Sequence, residues 1–165
     1  MKNLFFLAMT VFFAFLSCRN DDADVQKIDQ ILYLYIDSAG QDMLNNKIKG
    51  SYTTVAMNDV YGLTDNAPIS ADIKKDKDTV SYNEYVAGAR RIKIDSSGNS
   101  GTYESKIALL LTKKINDSTS RTTNDTLTIQ YNFSPQIFQV SNVWYNNQLK
   151  FTKEGNEPNI VKISK

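Results

Sequence analysis

The clearest pattern along the chain is a strict alternation of apolar and polar residues at 126–133. Leucine, isoleucine, tyrosine and phenylalanine occupy one set of positions, and threonine, glutamine and asparagine occupy the other. Successive side chains of a β-strand point to opposite faces, so this two-residue period places one set in a core and the other in water. The segment predicts a strand of a half-buried sheet.

Two later segments predict a β-hairpin. Residues 138–144 and 148–151 are rich in β-formers, and Asn146-Asn147 lies between them. Asparagine tolerates the positive φ that a tight two-residue turn requires. We therefore expect two antiparallel strands joined at these asparagines.

Aromatic residues are the first candidates for ligand contact, because tyrosine and tryptophan rings can stack on sugar rings or on a protein partner. Trp144 and Tyr145 are adjacent in a predicted strand, so they must face opposite sides. We predict that Trp144 packs in the core and that Tyr145, beside the turn, is the exposed ligand-contact aromatic. The full set of candidates is Tyr52, Tyr61, Tyr82, Tyr85, Trp144 and Tyr145.

Further short β-rich runs are spaced along the chain without a convincing amphipathic helix between them. The first, 31–37, is apolar enough to predict a strand buried on both faces; a helix over 24–34 is the alternative, and a tether running into a strand is preferred. Segments 95–101 and 116–125 are rich in turn formers and predict exposed, mobile loops. The spacing predicts an antiparallel two-sheet sandwich of seven to nine strands. The other predicted strands are 53–61, 79–86, 90–94, 106–112 and 160–163.

A short apolar leader precedes Cys18, the only cysteine. Its apolar stretch would span roughly 20 Å as a helix, which is short of the roughly 30 Å core of a bilayer, so a cleaved signal peptide over 1–17 is the better interpretation. Phe15-Leu16-Ser17-Cys18 resembles the lipobox of bacterial lipoproteins. The resemblance implies that Cys18 becomes the first mature residue and carries acyl chains such as palmitate; the alternative is an ordinary thiol.

A short acidic tract follows the cysteine at 19–24. It resembles the export signal of surface-exposed lipoproteins in Bacteroidota-type envelopes, which implies the outer membrane and the cell surface. It also fits a solvated tether, because such segments bury too little apolar surface to fold. We divide the chain into a signal peptide (1–17), a lipidated tether (18–30) and one β-sandwich domain (31–165).

As a whole, the chain resembles uncharacterised single-domain lipoproteins of Bacteroidota. The resemblance rests on the signal peptide, Cys18, the acidic tether, a first strand that ends near Asp37-Ser-Ala-Gly-Gln-Asp42, and a closing hairpin near Val143-Trp144-Tyr145-Asn146. It implies an immunoglobulin-like sandwich and a location. It supplies no catalytic residues.

Composition excludes several kinds of chemistry. Removing 17 of the 165 residues leaves 148, which is enough for one domain with a core. Lys2 is the only charged residue of the leader, so the mature chain has 18 basic and 18 acidic side chains, and nucleic acid is not an expected partner. Histidine is absent, which removes the commonest general base and metal ligand. We predict no cofactor and no metal.

Carboxylates leave two alternatives open. Glu84, Glu104, Asp65 and Asp125 could serve a hydrolase if folding brought two of them within about 5 to 10 Å, but their spacing selects no pair. Asp37-to-Asp42 could hold calcium, although the segment lacks the closing glutamate of an EF-hand loop and a turn is the simpler interpretation.

The sequence thus predicts a lipid-anchored, non-enzymatic binding or accessory module of the outer membrane, displayed at the cell surface, with acyl chains on Cys18 and an unknown glycan or protein ligand. A periplasm-facing structural or chaperone-like protein is the alternative. A carboxylate-based hydrolase is a further one.

Overall fold

The structure, a computed structural model, describes residues 25–70, 72–86 and 88–165. Within these residues every regular element is a β-strand, and no helix is long and apolar enough to cross a membrane. The strands are β1 Lys27–Asp29, β2 Leu32–Ser38, β3 Gln41–Asp42, β4 Thr54–Asp59, β5 Pro68–Ile69, β6 Asp72–Lys75, β7 Ser81–Tyr85, β8 Ile92–Ser97, β9 Ser100–Asn116, β10 Thr119–Phe133, β11 Ile137–Tyr145, β12 Gln148–Thr152 and β13 Asn159–Ser164.

The strands form two sheets that share one apolar core. The large sheet has the order β1-β11-β10-β9-β4-β5, with β12 also beside β11 and β8 also beside β9. The small sheet has the order β13-β2-β7-β6, with β3 also beside β2. The predicted all-β, two-sheet sandwich is confirmed. The strands of the described residues outnumber the predicted seven to nine, because several are edge pieces of two to four residues.

The predicted antiparallel pairing holds for all but two strand pairs of the described residues. β1 runs parallel to β11, and β13 runs parallel to β2. The connection between β1 and β2 crosses from one sheet to the other, so both strands keep the same direction. Parallel pairing joins segments far apart in sequence, so neighbouring residues do not predict it. The turn of a hairpin, in contrast, can be predicted from a few adjacent residues.

The inward positions of β10 lie at the centre of the core. Leu127, Ile129 and Tyr131 are fully buried, which confirms the alternation at 126–133. The ring of Tyr131 stacks on Phe138 of β11, with ring centroids 5.3 Å apart. The long inward row of one strand thus holds the two sheets together.

The start of the domain differs from expectation in two ways. β2 buries only one face, with Leu32, Leu34 and Ile36 inside, while Tyr33 and Tyr35 remain partly exposed outside. The large sheet also begins earlier than residue 31, because β1 lies inside the predicted tether 18–30.

The two segments predicted as loops are mostly strand. In 95–101 the chain turns only at Gly98-Asn99, and in 116–125 only at Asp117-Ser118. In 116–125 the turn-forming composition misled the prediction, because threonine also favours strands and pairs across them. The hydroxyls of Thr112 and Thr122 lie 2.7 Å apart across β9 and β10.

The strand β11 gives the sandwich two distinct ends. Its first residue, Ile137, pairs with Lys27 near the start of the described chain, and its last residue precedes the turn Asn146-Asn147. We call these the lower end and the upper end. Trp144 lies seven residues above Ile137, or about 23 Å along the strand.

A buried polar cluster ties the two sheets together at the lower end. The Lys153 ammonium, whose side chain is 5% exposed, donates to Asp29 Oδ2 at 2.6 Å and to Asn159 Oδ1 at 3.0 Å. The Asn159 amide donates to Asp29 Oδ1 at 2.9 Å. Since Asp29 belongs to β1 and Asn159 to β13, the cluster links the large sheet to the small one.

Candidate binding surface on the large sheet

A β-bulge in β11 decides which aromatic side chain faces the solvent. Gln130 pairs with Asn142 and Tyr131 pairs with Val140, so Ser141 is an extra residue on β11. The inward positions shift by one residue after it, and Val143 and Tyr145 face the core. Trp144 therefore lies on the outer face of the large sheet, partly exposed.

The expectation that the two aromatic residues face opposite sides is confirmed, but their assignment is wrong. Tyr145, the predicted exposed ligand contact, is only 6% exposed, and its hydroxyl donates to Asp125 Oδ2 at 2.7 Å. Burial and the nearby Asp125 carboxylate raise the pKa of Tyr145 well above its usual value. Tyr145 is a core residue, because the bulge turns Val143 and Tyr145 inward, whereas the prediction placed Tyr145 outside for its position beside the turn.

Trp144 stands in a regular grid of outward side chains. In one row Trp144 pairs with Thr128, which pairs with Lys106; in the next row Gln130 pairs with Glu104. With Asn147 they line a shallow depression of about 330 Å³. We call this surface the Trp144 face; its members are Glu104, Lys106, Thr128, Gln130, Trp144 and Asn147.

Glu104 organises one side of the Trp144 face. Its Oε1 accepts a hydrogen bond from the Tyr61 hydroxyl at 2.8 Å, and its Oε2 accepts one from the Gln130 amide at 3.3 Å. Burial and the Glu104 carboxylate raise the pKa of Tyr61 to about 12. These contacts fix the orientation of the Gln130 amide, whose carbonyl oxygen is left to accept from a ligand.

The other side of the Trp144 face keeps unused donors. Within the described residues, the Lys106 ammonium forms no ion pair, and neither it nor the Thr128 hydroxyl has a side-chain hydrogen bond. Polar groups on a flat sheet face stay hydrated until a ligand replaces the water. The surface therefore offers an aromatic ring, an ammonium, a hydroxyl and amides within three adjacent strands.

The four candidate carboxylates occupy different places. Glu104 lies on the outer face of the large sheet, Glu84 on the outer face of the small sheet, and Asp65 in the connection between β4 and β5. Asp125 is buried at the upper end, where Tyr145, Asn146 and Lys165 donate to it. The fold gives these four side chains no common cleft.

The segment Asp37-to-Asp42 forms a turn between β2 and β3. Asp42 Oδ1 accepts from the backbone N–H groups of Leu44 and Asn45, and Asp42 Oδ2 accepts from Ser81 N at 2.8 Å. The carboxylate thus holds backbone donors instead of pointing into a shared site. Within the described part of the chain, no three metal-binding side chains come together.

The remaining candidate aromatic residues divide between the core and the surface. Tyr52 and Tyr85 are buried, whereas Tyr61 and Tyr82 remain partly exposed. Tyr82 packs against Tyr33 and Tyr35 of β2, with ring centroids 5.5 Å apart in both pairs. We call the outer side of the small sheet around Tyr33, Tyr35 and Tyr82 the tyrosine face.

Sequence reasoning missed Glu104, Lys106, Thr128, Gln130 and Asn147 as neighbours of Trp144. Alternation in 126–133 correctly indicated that Thr128 and Gln130 face outward. The signal for Trp144 is the spacing Val140-x-x-Val143, which fits a bulge and not a regular strand. Register between strands, which completes the grid, is not encoded locally.

The chain has no significant match among protein-family models, curated proteins or solved structures. The predicted lipidation site, Cys18, lies outside the described residues.

Proposed function

We propose that this chain is a lipid-anchored, non-enzymatic binding module of the outer membrane that is displayed at the cell surface and binds a saccharide on the Trp144 face. The observation that carries the proposal is a partly exposed tryptophan ring set among polar side chains on the outer face of the large sheet. We also propose that the sandwich is of the immunoglobulin-like class; its two layers and the crossing of β1 into β2 support this.

A saccharide fits the chemistry of this surface. One face of a pyranose ring carries C–H groups that pack on an indole, while its hydroxyls both donate and accept hydrogen bonds. Glu104, Gln130 and Asn147 offer acceptors, and Lys106 and Thr128 offer donors. Three adjacent strands span about 10 Å, which accommodates one or two sugar rings.

A protein partner is less favoured by the same surface. The core of a protein interface is depleted of charged residues, whereas the Trp144 face has Glu104 and Lys106 beside its only aromatic ring.

A carboxylate-based hydrolase would need two carboxyl groups about 5 to 10 Å apart around a substrate bond. The separated positions of the four candidates favour binding over hydrolysis.

Intrinsic fluorescence tests the saccharide proposal directly, because Trp144 is the only tryptophan of the chain. We expect the emission of the mature chain to change on titration with oligosaccharides extracted from the envelope or from host mucins. Free amino acids and nucleotides should leave it unchanged. If no oligosaccharide alters the emission or is retained by the immobilised domain, the saccharide proposal is wrong.

Acylation of Cys18 is tested by the Cys18→Ala variant. Each buried CH₂ contributes roughly 0.8 kcal/mol, so a protein with more than one acyl chain should stay on membranes and the variant should leave them. A variant that resists alkaline carbonate washing would contradict the anchor.

Protease digestion of intact cells distinguishes surface display from the periplasm-facing alternative, in which digestion would require lysis.

A further inference from the structure

The lower end of the domain exposes a group of aliphatic side chains. Val25 is 92% exposed, Ile28 63%, Val86 46%, Ile160 41% and Ile31 37%. Residues of this size are normally buried, and scattered single ones need no explanation. These five are not scattered over the surface at random, because they lie just before or in β1, just before β2, after β7 and at the start of β13.

Strand register shows how this group is assembled. The pairs Leu32 with Tyr85 and Leu32 with Asn159 place Ile31 between Val86 and Pro158 at the end of the small sheet. Ile160 is next to Tyr33 one row above. Ile28, Ile31, Tyr33, Val86 and Pro158 line a groove of about 380 Å³ together with the polar residues Asp29, Gln30, Asn156, Glu157 and Asn159. We call Val25, Ile28, Ile31, Val86 and Ile160 the lower apolar patch.

The distance to the lipidation site selects the partner of this patch. Val25 is the seventh residue after Cys18, so a fully extended chain spans at most about 25 Å between them. Acyl chains on Cys18 would therefore hold the lower apolar patch within one domain diameter of the bilayer surface. Tyr33, which lines the groove, is a residue type suited to the membrane–water interface.

We propose that the lower apolar patch docks on the lipid surface and sets the orientation of the domain on the membrane. This inference rests on the proposed anchor at Cys18. Docking buries the aliphatic side chains at the headgroup boundary, where apolar area adds to the affinity of the anchor. It also directs the upper end, with the Trp144 face about 23 Å along β11 from the patch level, away from the bilayer.

The test uses chemical attachment, so that it does not depend on acylation by the cell. The mature chain, residues 18–165, is coupled through its only thiol, Cys18, to a maleimide lipid in vesicles of phosphatidylethanolamine and phosphatidylglycerol. Amide hydrogen exchange is then compared with that of the uncoupled chain. We expect slower exchange in 25–31 and 156–160 on vesicles, and unchanged exchange in 146–149.

A double variant and a matched control complete the experiment. Ile28→Asp with Ile31→Asp should lose the slower exchange while the chain stays coupled to the vesicle. Leu149→Asp removes an aliphatic side chain that is 55% exposed at the upper end, and it should keep the slower exchange. Thermal unfolding of both variants verifies that they fold.

Equal exchange on and off vesicles in the unaltered chain would overturn the docking inference. That result would leave the anchor intact, because acylation is measured separately as added mass on Cys18 in the native protein. Conversely, absence of acyl mass would contradict the anchor while the coupled vesicles still report docking. If the double variant shows the same slower exchange on vesicles as the unaltered chain, the patch is not the docking surface.

Discussion

The outer faces of the two sheets both have partly exposed aromatic residues, but they use them differently. On the tyrosine face, the ring of Tyr82 contacts the rings of both Tyr33 and Tyr35. On the Trp144 face, the indole makes no aromatic contact within the described residues, and polar side chains surround it. The aromatic residues of both faces are partly exposed, but only those of the tyrosine face contact other aromatic rings.

The difference matters because an aromatic residue can serve as a ligand platform where its neighbours leave the ring face open. Rings that pack edge to face already satisfy their favourable contacts within the protein. A ring isolated among hydrated polar groups gains new contacts when a ligand arrives. We therefore propose that the tyrosine face contributes to stability and that the Trp144 face binds the ligand.

Replacement of Trp144 by Ala should produce the largest effect. We expect saccharide affinity to fall at least tenfold, since buried aromatic anchors contribute about 2 kcal/mol or more to a binding site. Unfolding should change little, because the side chain lies outside the core. Calorimetric titration measures the affinity, because the variant lacks the fluorescent reporter. Unaltered affinity would reject the platform.

Replacement of Tyr82 by Ala should give the opposite pattern. Loss of two ring contacts and of a half-buried surface should lower the free energy of unfolding by about 2 kcal/mol. Saccharide affinity should be unchanged, because Tyr82 lies on the other sheet. Denaturant unfolding followed by Trp144 emission measures both proteins under one condition. A drop in affinity would mean that the tyrosine face binds the ligand.

Replacement of Tyr145 by Phe tests the core residue next to Trp144 in β11. Loss of its hydrogen bond to the Asp125 carboxylate should lower the free energy of unfolding by about 1.5 kcal/mol, with affinity preserved. Weakened binding that exceeds this loss of stability would restore Tyr145 as a ligand contact.

The same variant has a defined pH dependence. Burial raises the Asp125 pKa, but hydrogen bonds from Lys165, Asn146 and Tyr145 outweigh it and hold the pKa below the usual value. The stability contributed by the ionised Asp125 is therefore fully present above the unfolded pKa of about 4 and is lost as the pH falls through the folded value. The difference between the unaltered chain and Tyr145→Phe should shrink below pH about 4, as acid unfolding curves will show.

Replacement of Glu104 by Gln should have the smallest effect. Burial is the main cause of the raised Tyr61 pKa and persists in the variant, whereas the carboxylate charge does not. The Tyr61 pKa should fall from about 12 part of the way toward 10, as measured by ultraviolet titration of the phenol. Saccharide affinity should decrease several-fold, about 1 kcal/mol, through the loosened Gln130 amide. An unchanged Tyr61 pKa would mean that the contact to Glu104 does not form.

Much of the fold could be predicted from local pattern. The alternation at 126–133 identified the core strand, and Asn146-Asn147 identified the hairpin, whose two asparagines have φ values of 47° and 65°. Both signals act within a few residues, where the period of a strand and the backbone freedom of a turn residue determine the outcome.

The candidate surface could not be predicted in the same way. The bulge at Ser141 and the register of Trp144 with Thr128 depend on how β11 packs against β10 and on the core beneath them. Parallel pairing of β13 with β2 joins residues more than a hundred positions apart. Such features arise from tertiary packing, and one shifted residue reversed the assignment of Trp144 and Tyr145.

The parallel pairing of β1 with β11 has a mechanical consequence. A ligand that holds Trp144 would pull β11 upward, while a lipid anchor before β1 would pull that strand downward. The two forces act along the strands in opposite directions, so the three aligned residue pairs of β1 and β11 are loaded in shear and their hydrogen bonds must yield together. The Lys153 link between Asp29 and Asn159 bears the same load, so the tethered domain should resist tension on its ligand without unzipping from its first strand.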